Sequence, residues 1–286
     1  MKGATTPDEL SGTQRMREFA FGHEDFEALR ALVKELTGIN LTEQKRELVY
    51  GRLARRLRAL GLRSFRDYRD LLASDGDELV QLCNAITTNL TAFFRESHHF
   101  GYLREQVLRR LAADARASRR VRIWSAGCSS GEEPYTIALI LNAEIKNMTG
   151  RDVRILATDI DTEVLRKASL GVFAADAVEA VPVKYREVLS QVERGDKIAI
   201  DRDVCSLISF GQLNLMGEWP MRGPFDAIFC RNVMIYFDQQ TKAELVERFT
   251  DLIRIGGWLY IGHSESLIGS HPRLKLAGRT IYRRTA

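Results

Sequence analysis

The sequence has no long apolar run and no secretion signal at its start. A helix needs about 20 mainly apolar residues to cross a bilayer, and no stretch of the 286 residues comes near that length. Residues 1–20 are polar and mixed in charge, without the apolar stretch of a signal peptide, and we expect them to form a flexible tail. These absences predict a cytoplasmic protein that does not insert into membranes.

Residues that bind metals or form disulfides are few and scattered. The four cysteines lie far apart, and no two of them have the spacing of a metal site. The five histidines form no HExxH motif. We therefore expect no metal ion, and reduced thiols of the kind found in cytosolic proteins.

Positive charge is concentrated in one segment of a chain whose net charge is +4. Between residues 45 and 69, nine basic residues stand against two acidic ones, which indicates an acidic partner rather than a merely solvated helix face. Nucleic acid is disfavoured because few aromatic residues are interleaved and the isoelectric point is a moderate 8.9. The expected docking residues are Lys45, Arg52, Arg55 and Arg56.

Hydrophobic periodicity divides the chain into a helical part and an α/β part. Residues 21–95 show apolar residues at helical spacing and are predicted to form an all-helical N-terminal domain, followed by a charged linker helix over 96–120. Residues 121–286 alternate short apolar strands with helices, the pattern of an α/β fold with a doubly wound, mostly parallel sheet. Residues 172–206 are more than one crossover needs and are predicted to form a small inserted β-subdomain.

Two finer expectations concern the ends of this α/β part. Within the inserted subdomain, a helix is predicted near 182–192. The last strand, 280–283, follows another strand with no clear helix between them. We expect it to pair antiparallel at the edge of the sheet.

A glycine-rich loop joins the first predicted strand to the next helix. Residues 126–133 are Ala-Gly-Cys-Ser-Ser-Gly-Glu-Glu. Glycine lets a ligand approach the backbone, and the ligands of such sheets bind beyond the carboxyl ends of the strands. The loop is compatible with a dinucleotide site, a hydrolase nucleophile or a site for S-adenosylmethionine (SAM).

The first two interpretations meet objections. The adjacent carboxylates Glu132 and Glu133 would repel the pyrophosphate of a dinucleotide. The pattern Gly-x-Ser-x-Gly matches a hydrolase elbow, with Ser129 as the nucleophile and His263 as its base. However, an elbow normally follows several earlier strands, whereas here the preceding residues are predicted to be helical.

A SAM site accounts for the acidic residues of the loop. The carboxylate of Glu133 can pair with the ammonium group of the methionine part. Asp159, at the end of the second strand, can accept the ribose hydroxyls, as an acidic residue does at this place in dinucleotide folds. A helix cap is the alternative role for Asp159, and Asp161 could provide that cap equally well. With the acidic loop upstream, we favour the ribose role for Asp159.

Five separated blocks resemble the chemoreceptor glutamate methyltransferases, the CheR family. The similarity runs over residues 21–283. The blocks are Asn-Leu-Thr-Ala-Phe-Phe-Arg-Glu at 89–96, residues 124–135, Asn-Leu at 214–215, residues 225–237, and Gly-His-Ser-Glu at 262–265. Each block alone is weak evidence, but all five in order are specific.

The resemblance implies both a fold and a reaction. The fold is a class I SAM-dependent methyltransferase domain with an all-helical N-terminal domain and an inserted β-subdomain. The reaction is methyl transfer from SAM to glutamate side chains on the cytoplasmic helices of chemoreceptors, as part of signal transduction in chemotaxis. In some members the β-subdomain binds a receptor tail peptide, but this sequence matches that subdomain more in layout than in its residues.

The resemblance also assigns residues to the site. The cofactor-binding residues that it implies are Asn89, Thr91, Arg95, Gly127, Glu133, Asp159, Asn214, Leu215, Arg231 and Asn232. Near the reacting end it places Arg95 and Tyr236. A glutamate with an ordinary pKa of about 4.3 is already ionised at neutral pH, so the reaction needs no general base. We expect Arg95 to position this carboxylate by a charge-assisted hydrogen bond, and Tyr236 to orient it or line the transfer path.

Overall fold

The structure is a computed structural model that describes residues 17–108, 120–145, 152–192, 195–267 and 271–286. Most of the expected tail, residues 1–16, lies outside the described residues. So does most of the second half of the expected linker helix, residues 109–119. No helix in the described ranges combines the length and the apolar character that a membrane crossing needs.

Four helices pack around an apolar core in the N-terminal part of the chain. Their ends carry the expected signals: Gly61 closes the second helix with φ 69°, and the side chains of Ser64 and Asp75 cap the starts of the third and fourth. The core includes the fully buried Phe26 and Leu53. The helices are α1 (His23–Thr37), α2 (Arg46–Leu60), α3 (Phe65–Leu72) and α4 (Gly76–Ile86).

The segment after the helical domain differs from the single helix expected over 96–120. It contains a short helix, α5 (His98–Tyr102), which passes directly into a π-helical stretch, Leu103–Leu108. The spacing of apolar residues predicted helical structure here. Over only six residues, however, that spacing does not distinguish an α-helix from a π-helix.

The second part of the chain is built on a seven-stranded sheet. Its order is β6-β2-β1-β7-β8-β10-β9. Neighbouring strands from β6 to β8 pair in parallel, whereas β10 pairs antiparallel with both β8 and β9. The strands are β1 (Arg120–Ala126), β2 (Asp152–Asp159), β6 (Ile208–Gln212), β7 (Phe225–Cys230), β8 (Ile253–Ile261), β9 (Leu274–Gly278) and β10 (Ile281–Arg284).

The last strand does pair antiparallel, but its expected place at the edge of the sheet is wrong. β10 lies between β8 and β9, and β9 forms the edge. The alternation of Leu274, Leu276 and Gly278 is too short and too exposed to indicate a strand. The helices of this part are α6 (Glu132–Ile145), α7 (Thr162–Ser169), α8 (Arg202–Cys205) and α9 (Gln239–Leu252).

The inserted subdomain contains a three-stranded antiparallel sheet. β5 (Lys197–Ile200) lies between β3 (Val172–Ala174) and β4 (Leu189–Gln191). The helix expected near 182–192 is a 3₁₀ helix that covers only Val183–Val188, after which β4 begins. Apolar residues three apart in a short segment fit both helix types, so the sequence does not distinguish them.

The order of the strands fixes the place of the site. From β1 the chain adds β2 and β6 on one side, and then returns to add β7 and β8 on the other. In open parallel sheets, ligands bind outside the carboxyl ends of the strands where the order reverses. That point lies between β1 and β7.

Candidate active site

A cleft opens between the helical domain and the carboxyl ends of the parallel strands. Its volume is about 1250 Å³, including the open mouth. It brings together every residue that the sequence assigned to the cofactor or the reaction. These residues are Asn89, Thr91, Arg95, Gly127, Glu133, Asp159, Asn214, Leu215, Arg231, Asn232 and Tyr236.

The loop after β1 lines the centre of this cleft. The N–H groups of Gly127 and Cys128 both donate to the carbonyl of Thr158, at 2.8 and 2.9 Å, and tie the loop to the end of β2. Gly127 has φ 84°, and a Cβ there would lie 2.4 Å from Cγ2 of Val233. Glycine at this position therefore lets the loops after β1 and β7 pack directly against each other.

The carboxylate of Asp159 lies at the end of β2, beside this loop. Its Oδ2 accepts the N–H of Ser129 at 2.8 Å, and its Oδ1 accepts the N–H of Asp161 at 3.0 Å. Burial raises the pKa of Asp159, and these backbone hydrogen bonds oppose the rise. Because a carboxylate offers about four acceptor sites, Asp159 can still accept hydrogen bonds from the hydroxyls of a ligand.

The helix cap that competed for Asp159 is provided by Asp161. Its Oδ1 accepts the N–H groups of Glu163 and Val164 at the start of α7. Its Oδ2 accepts Thr87 Oγ1 at 2.8 Å and Asn89 Nδ2 at 2.7 Å. Asn89 thus lines the cleft with its amide already bound to Asp161, which joins the segment after α4 to the α/β domain.

Glu133 belongs to a buried network of charged groups. Nη1 of Arg231 donates to its Oε2 at 2.9 Å, and the hydroxyl of Ser125 donates to its Oε1 at 2.6 Å. Nη2 of Arg231 lies 3.3 Å from Oε2 of Glu96. Since Arg231 is buried, these contacts fix the orientation of the Glu133 and Glu96 carboxylates.

Glu96 is the second carboxylate of this network. Burial acts to raise its pKa, but hydrogen bonds from His263 and Asn232 and the charge of Arg231 outweigh burial and lower the pKa from 4.5 to about 2. The two hydrogen bonds measure 2.8 Å and 3.2 Å. Glu96 is therefore an anion throughout the neutral range, and it joins the loops that follow β7 and β8.

Arg95 lies in a strained segment at the mouth of the cleft. Its neighbours Phe94 and Glu96 have φ 53° and 56°, values that L-residues with bulky side chains rarely adopt. The N–H of Phe94 donates to Thr136 Oγ1, and the carbonyl of Arg95 accepts from Arg231. The Arg95 guanidinium has one described hydrogen bond, to the carbonyl of Leu90 at 2.7 Å. Its remaining donors are available to a ligand.

The remaining wall of the cleft lies where the helical domain contacts the α/β domain through backbone and side-chain hydrogen bonds. The N–H of Asn40 donates to the carbonyl of Tyr236 at 2.8 Å. The amide of Asn214 donates to the carbonyl of Leu36, and its Oδ1 accepts the N–H of Met216. Asn214 therefore lines the cleft and also joins the two domains.

Comparison with known proteins gives two family models and several relatives that cover most of the chain. Residues 24–87 match the model described as "CheR methyltransferase, all-alpha domain", and residues 89–283 match "CheR methyltransferase, SAM binding domain". The chain belongs to the CheR methyltransferase family. It is a SAM-dependent methyltransferase with the class I fold.

Curated relatives of this CheR chain resemble it over nearly their whole length. A probable chemotaxis protein methyltransferase of Rhizobium etli is 46% identical over 254 residues, which cover 87% of this chain and 95% of the relative. Chemotaxis protein methyltransferase 2 of Pseudomonas aeruginosa is 41% identical over 97% of this chain and 98% of its own length. The chemotaxis protein methyltransferase of Escherichia coli is 39% identical over 94% and 93%.

The charged side chains that line the cleft fit SAM. A SAM molecule presents an ammonium group, a carboxylate, a sulfonium and ribose hydroxyls. The carboxylates of Glu133 and Asp159 suit the ammonium and the hydroxyls, and the guanidinium of Arg95 suits an anionic group. A phosphate-bearing cofactor would meet the Glu133 and Asp159 carboxylates instead.

The hydrolase interpretation of Ser129 does not fit this CheR site. The Ser129 hydroxyl donates to the carbonyl of Asn89 at 3.2 Å. His263, its expected base, donates from Nδ1 to Glu96 and is not among the residues that line the cleft. The sheet also begins at β1, so no earlier strand precedes the loop among the described residues.

The structure corrects the expected docking set on α2. Arg52 turns back into the domain, and its Nη1 donates to the carbonyls of Ala85, Ile86 and Thr87 at the end of α4. Arg56 forms an ion pair with the buried Glu78. Both side chains stabilise the helical domain, because unpaired helix-end carbonyls and a buried carboxylate need donors.

Exchanging Arg52 for alanine will lower stability. We expect Arg52→Ala to reduce the free energy of unfolding by about 1–3 kcal/mol, because the last carbonyls of α4 lose a charged donor. The matched control is Arg55→Ala on the same helix. Its exposed side chain makes the expected change less than about 0.5 kcal/mol. Urea unfolding of both variants measures the difference, and equal midpoints would show that Arg52 has no capping role.

Sequence reasoning missed two residues of this region. Glu96 contacts Arg231, Asn232 and His263, and Glu265 binds the loops after β7 and β8. Both lie within blocks of the resemblance, Glu96 directly after Arg95 and Glu265 at the end of Gly-His-Ser-Glu. Neither position in the sequence reveals a long-range contact.

Proposed function

We propose that this chain transfers the methyl group of SAM to glutamate side chains of chemoreceptor cytoplasmic helices and forms glutamate methyl esters. The observation that carries the proposal is the cleft, in which a guanidinium with available donors, Arg95, faces the same space as the carboxylates Glu133 and Asp159. The names of the relatives, chemotaxis protein methyltransferases, support a chemotaxis substrate.

The main task of the protein in this reaction is to align the acceptor carboxylate with the methyl group of SAM. SAM supplies an electrophilic methyl group on a sulfonium. A carboxylate oxygen of the acceptor forms the new C–O bond while the C–S bond breaks, and the sulfur keeps the bonding electron pair. No proton moves, so no general base is required. Holding the two groups in line can contribute about 7–11 kcal/mol to the lowering of the barrier.

Arg95 is the residue that we assign to the acceptor carboxylate. Its planar guanidinium can bind two oxygens, or one oxygen at a fixed angle. Methylation turns an anion into a neutral ester, so the attraction to Arg95 weakens in the product. The loss of this attraction favours release of the methylated side chain. We assign Tyr236, which lines the same cleft, to orienting the carboxylate.

The rim of the cleft and the adjoining face of α2 offer both positive charge and apolar surface. Lys45 is exposed and lines the cleft. Arg55 is exposed on α2, seven residues and therefore about two turns after Leu48, on the same side of the helix. The described part of the chain contains no ion-pair partner for either residue. Leu48 and Leu90 line the mouth and are 38% and 78% exposed. A receptor helix that carries glutamates beside apolar residues complements this surface in charge and character. We therefore keep Lys45 and Arg55, but not Arg52 and Arg56, as docking residues.

Charge reversal on this face of α2 tests the docking surface. We expect Arg55→Glu to raise the KM for a receptor fragment at low salt, up to about fivefold, as the loss of one exposed charge contact would. Affinity for S-adenosylhomocysteine should not change. The control is Arg66→Glu, which makes the same change of charge at an exposed position of α3. A KM that moves equally in both variants would show that only net charge matters.

The inserted subdomain is the place that we propose for a receptor tail peptide. In its sheet, β4 and β3 each pair only with β5 among the described strands. Each outer edge therefore presents backbone groups to which an extended peptide could add as a further strand.

A transfer assay tests the proposed reaction. The protein is incubated with methyl-tritiated SAM and a chemoreceptor cytoplasmic fragment, with RNA as a parallel substrate. We expect label on the receptor fragment that mild alkali releases as methanol, because esters hydrolyse under these conditions. Alkali-stable label, or label on RNA, would contradict a glutamate ester. If the chain only senses SAM, no S-adenosylhomocysteine will form.

A further inference from the structure

Glu265 holds a loop of the cleft without lining the cleft itself. It lies just after β8, and its side chain is 5% exposed. Its Oε2 accepts the N–H groups of Gly262 and Asn232, the latter at 3.0 Å. Its Oε1 accepts the N–H of Ile235 at 3.0 Å. One carboxylate thus satisfies three backbone donors from two separate loops.

The loop that Glu265 binds carries site residues at both ends. Residues 231–236 follow β7, and Arg231, Asn232, Val233 and Tyr236 line the cleft. Asn232 has φ 59°, in the left-handed region that residues other than glycine adopt uncommonly and that neighbouring contacts must maintain. Glu265 binds the backbone of Asn232, and Glu96 binds its side chain at 3.2 Å. The two carboxylates together hold Asn232 in this conformation.

Gly262 shows how closely the two loops approach. A Cβ at this position would lie 2.6 Å from Nδ2 of Asn232 and 2.8 Å from both its backbone nitrogen and Oε2 of Glu265. Only glycine permits such contact. The Glu265 carboxylate is therefore in close contact with both loops. A side chain at position 265 that repelled either backbone N–H would displace the loop after β7.

We propose that Glu265 is a positioning residue for methyl transfer. It fixes the loop 231–236, and through that loop it places Asn232 against the bound cofactor and Tyr236 beside the acceptor carboxylate, although it contacts no reacting group. The effect on the loop and on cofactor affinity is independent of the acceptor, whereas the effect on turnover rests on the proposed function.

The test compares two substitutions of Glu265 with a matched buried carboxylate. Glu265→Gln keeps the size of the side chain but turns an NH₂ group towards a backbone N–H. Glu265→Asp keeps the charge on a shorter side chain. The control is Asp226→Asn on β7, a carboxylate that is also 5% exposed, accepts the N–H of Arg122 at 2.7 Å and pairs with Arg254. Asp226 does not line the cleft.

Binding of S-adenosylhomocysteine is measured by calorimetry, together with unfolding and turnover. We expect the E265Q variant to bind S-adenosylhomocysteine at least about tenfold more weakly, because it loses one charge-assisted hydrogen bond. Its kcat should fall by at least the same factor. E265D keeps the charge on a shorter side chain and should lose affinity by a smaller factor than E265Q. D226N should bind as the unchanged chain does, even if its free energy of unfolding falls as much as that of E265Q.

Two outcomes would overturn the positioning role. E265Q could bind S-adenosylhomocysteine and turn over normally, or D226N could lose as much affinity as E265Q, which would make the effect one of stability alone. Should E265Q fail to fold, E265D against D226N gives the same comparison, because E265D is expected to lose affinity and D226N is not. If no variant and not even the unchanged chain methylates a receptor fragment, the proposed function fails, while the binding titration still decides the role of Glu265.

Discussion

Replacing Arg95 with alanine will lower kcat by about a hundredfold or more, the loss typical of removing one preorganised donor from a reacting oxygen. The guanidinium is bound to the protein only through the carbonyl of Leu90 among the described contacts. Removing it therefore takes away a ligand for the acceptor rather than an internal support. Affinity for S-adenosylhomocysteine should fall by less than kcat, since Glu133 and Asp159 remain.

The matched control for this prediction is Arg95→Lys. Lysine keeps the positive charge but not the planar pair of donors, so its kcat should lie between those of the unchanged chain and Arg95→Ala. Single-turnover kinetics at saturating SAM separate the chemical step from binding. Full methyl transfer by Arg95→Ala, with normal SAM binding, would show that Arg95 does not position the acceptor.

Replacing Asp159 with asparagine will weaken cofactor binding by about a hundredfold, the effect of losing two hydrogen bonds to a charged acceptor. Asp159 is 8% exposed, and its position at the end of β2 leaves acceptor sites that face the cleft. Because the substitution removes ground-state binding, KM for SAM should rise much more than kcat falls.

Asp226→Asn controls this prediction too, as another buried carboxylate of the parallel sheet that lies away from the cleft. It should bind S-adenosylhomocysteine normally. Calorimetric titration of Asp159→Asn would contradict the ribose role if its affinity stayed within about threefold of the control, a difference of less than 1 kcal/mol.

The parallel sheet and the acidic ligand edge with Glu133 and Asp159 were predictable because both depend on local patterns, whereas the other site residues were assigned by the resemblance to a family. Strands that alternate with helices specify a doubly wound sheet, and a glycine-rich turn after the first strand specifies the ligand edge. The competing roles of Asp159 and Asp161 were also recognisable, although only the contacts of Asp161 with Glu163, Val164 and Thr87 show which of the two caps α7.

Other features depend on contacts between residues far apart in the chain. Arg52 lies on the same helix as the exposed Arg55, three residues before it, yet it binds carbonyls more than thirty residues away at the end of α4. Neither helical spacing nor net charge distinguishes these two arginines. Likewise, nothing near Glu265 in the sequence shows that its carboxylate binds the loop after β7. The place of β10 between β8 and β9 depends on which strand edges remain open once the sheet is assembled.

The most direct test of the proposed function is to locate the methyl group on the acceptor. A chemoreceptor fragment is incubated with this protein and SAM, digested, and sequenced by tandem mass spectrometry before and after mild alkali. We predict methyl groups on glutamate side chains, absent after alkali and absent when those glutamates are replaced by alanine. Methylation of lysine, arginine or the backbone termini, or methylation that survives alkali, would contradict glutamate O-methylation.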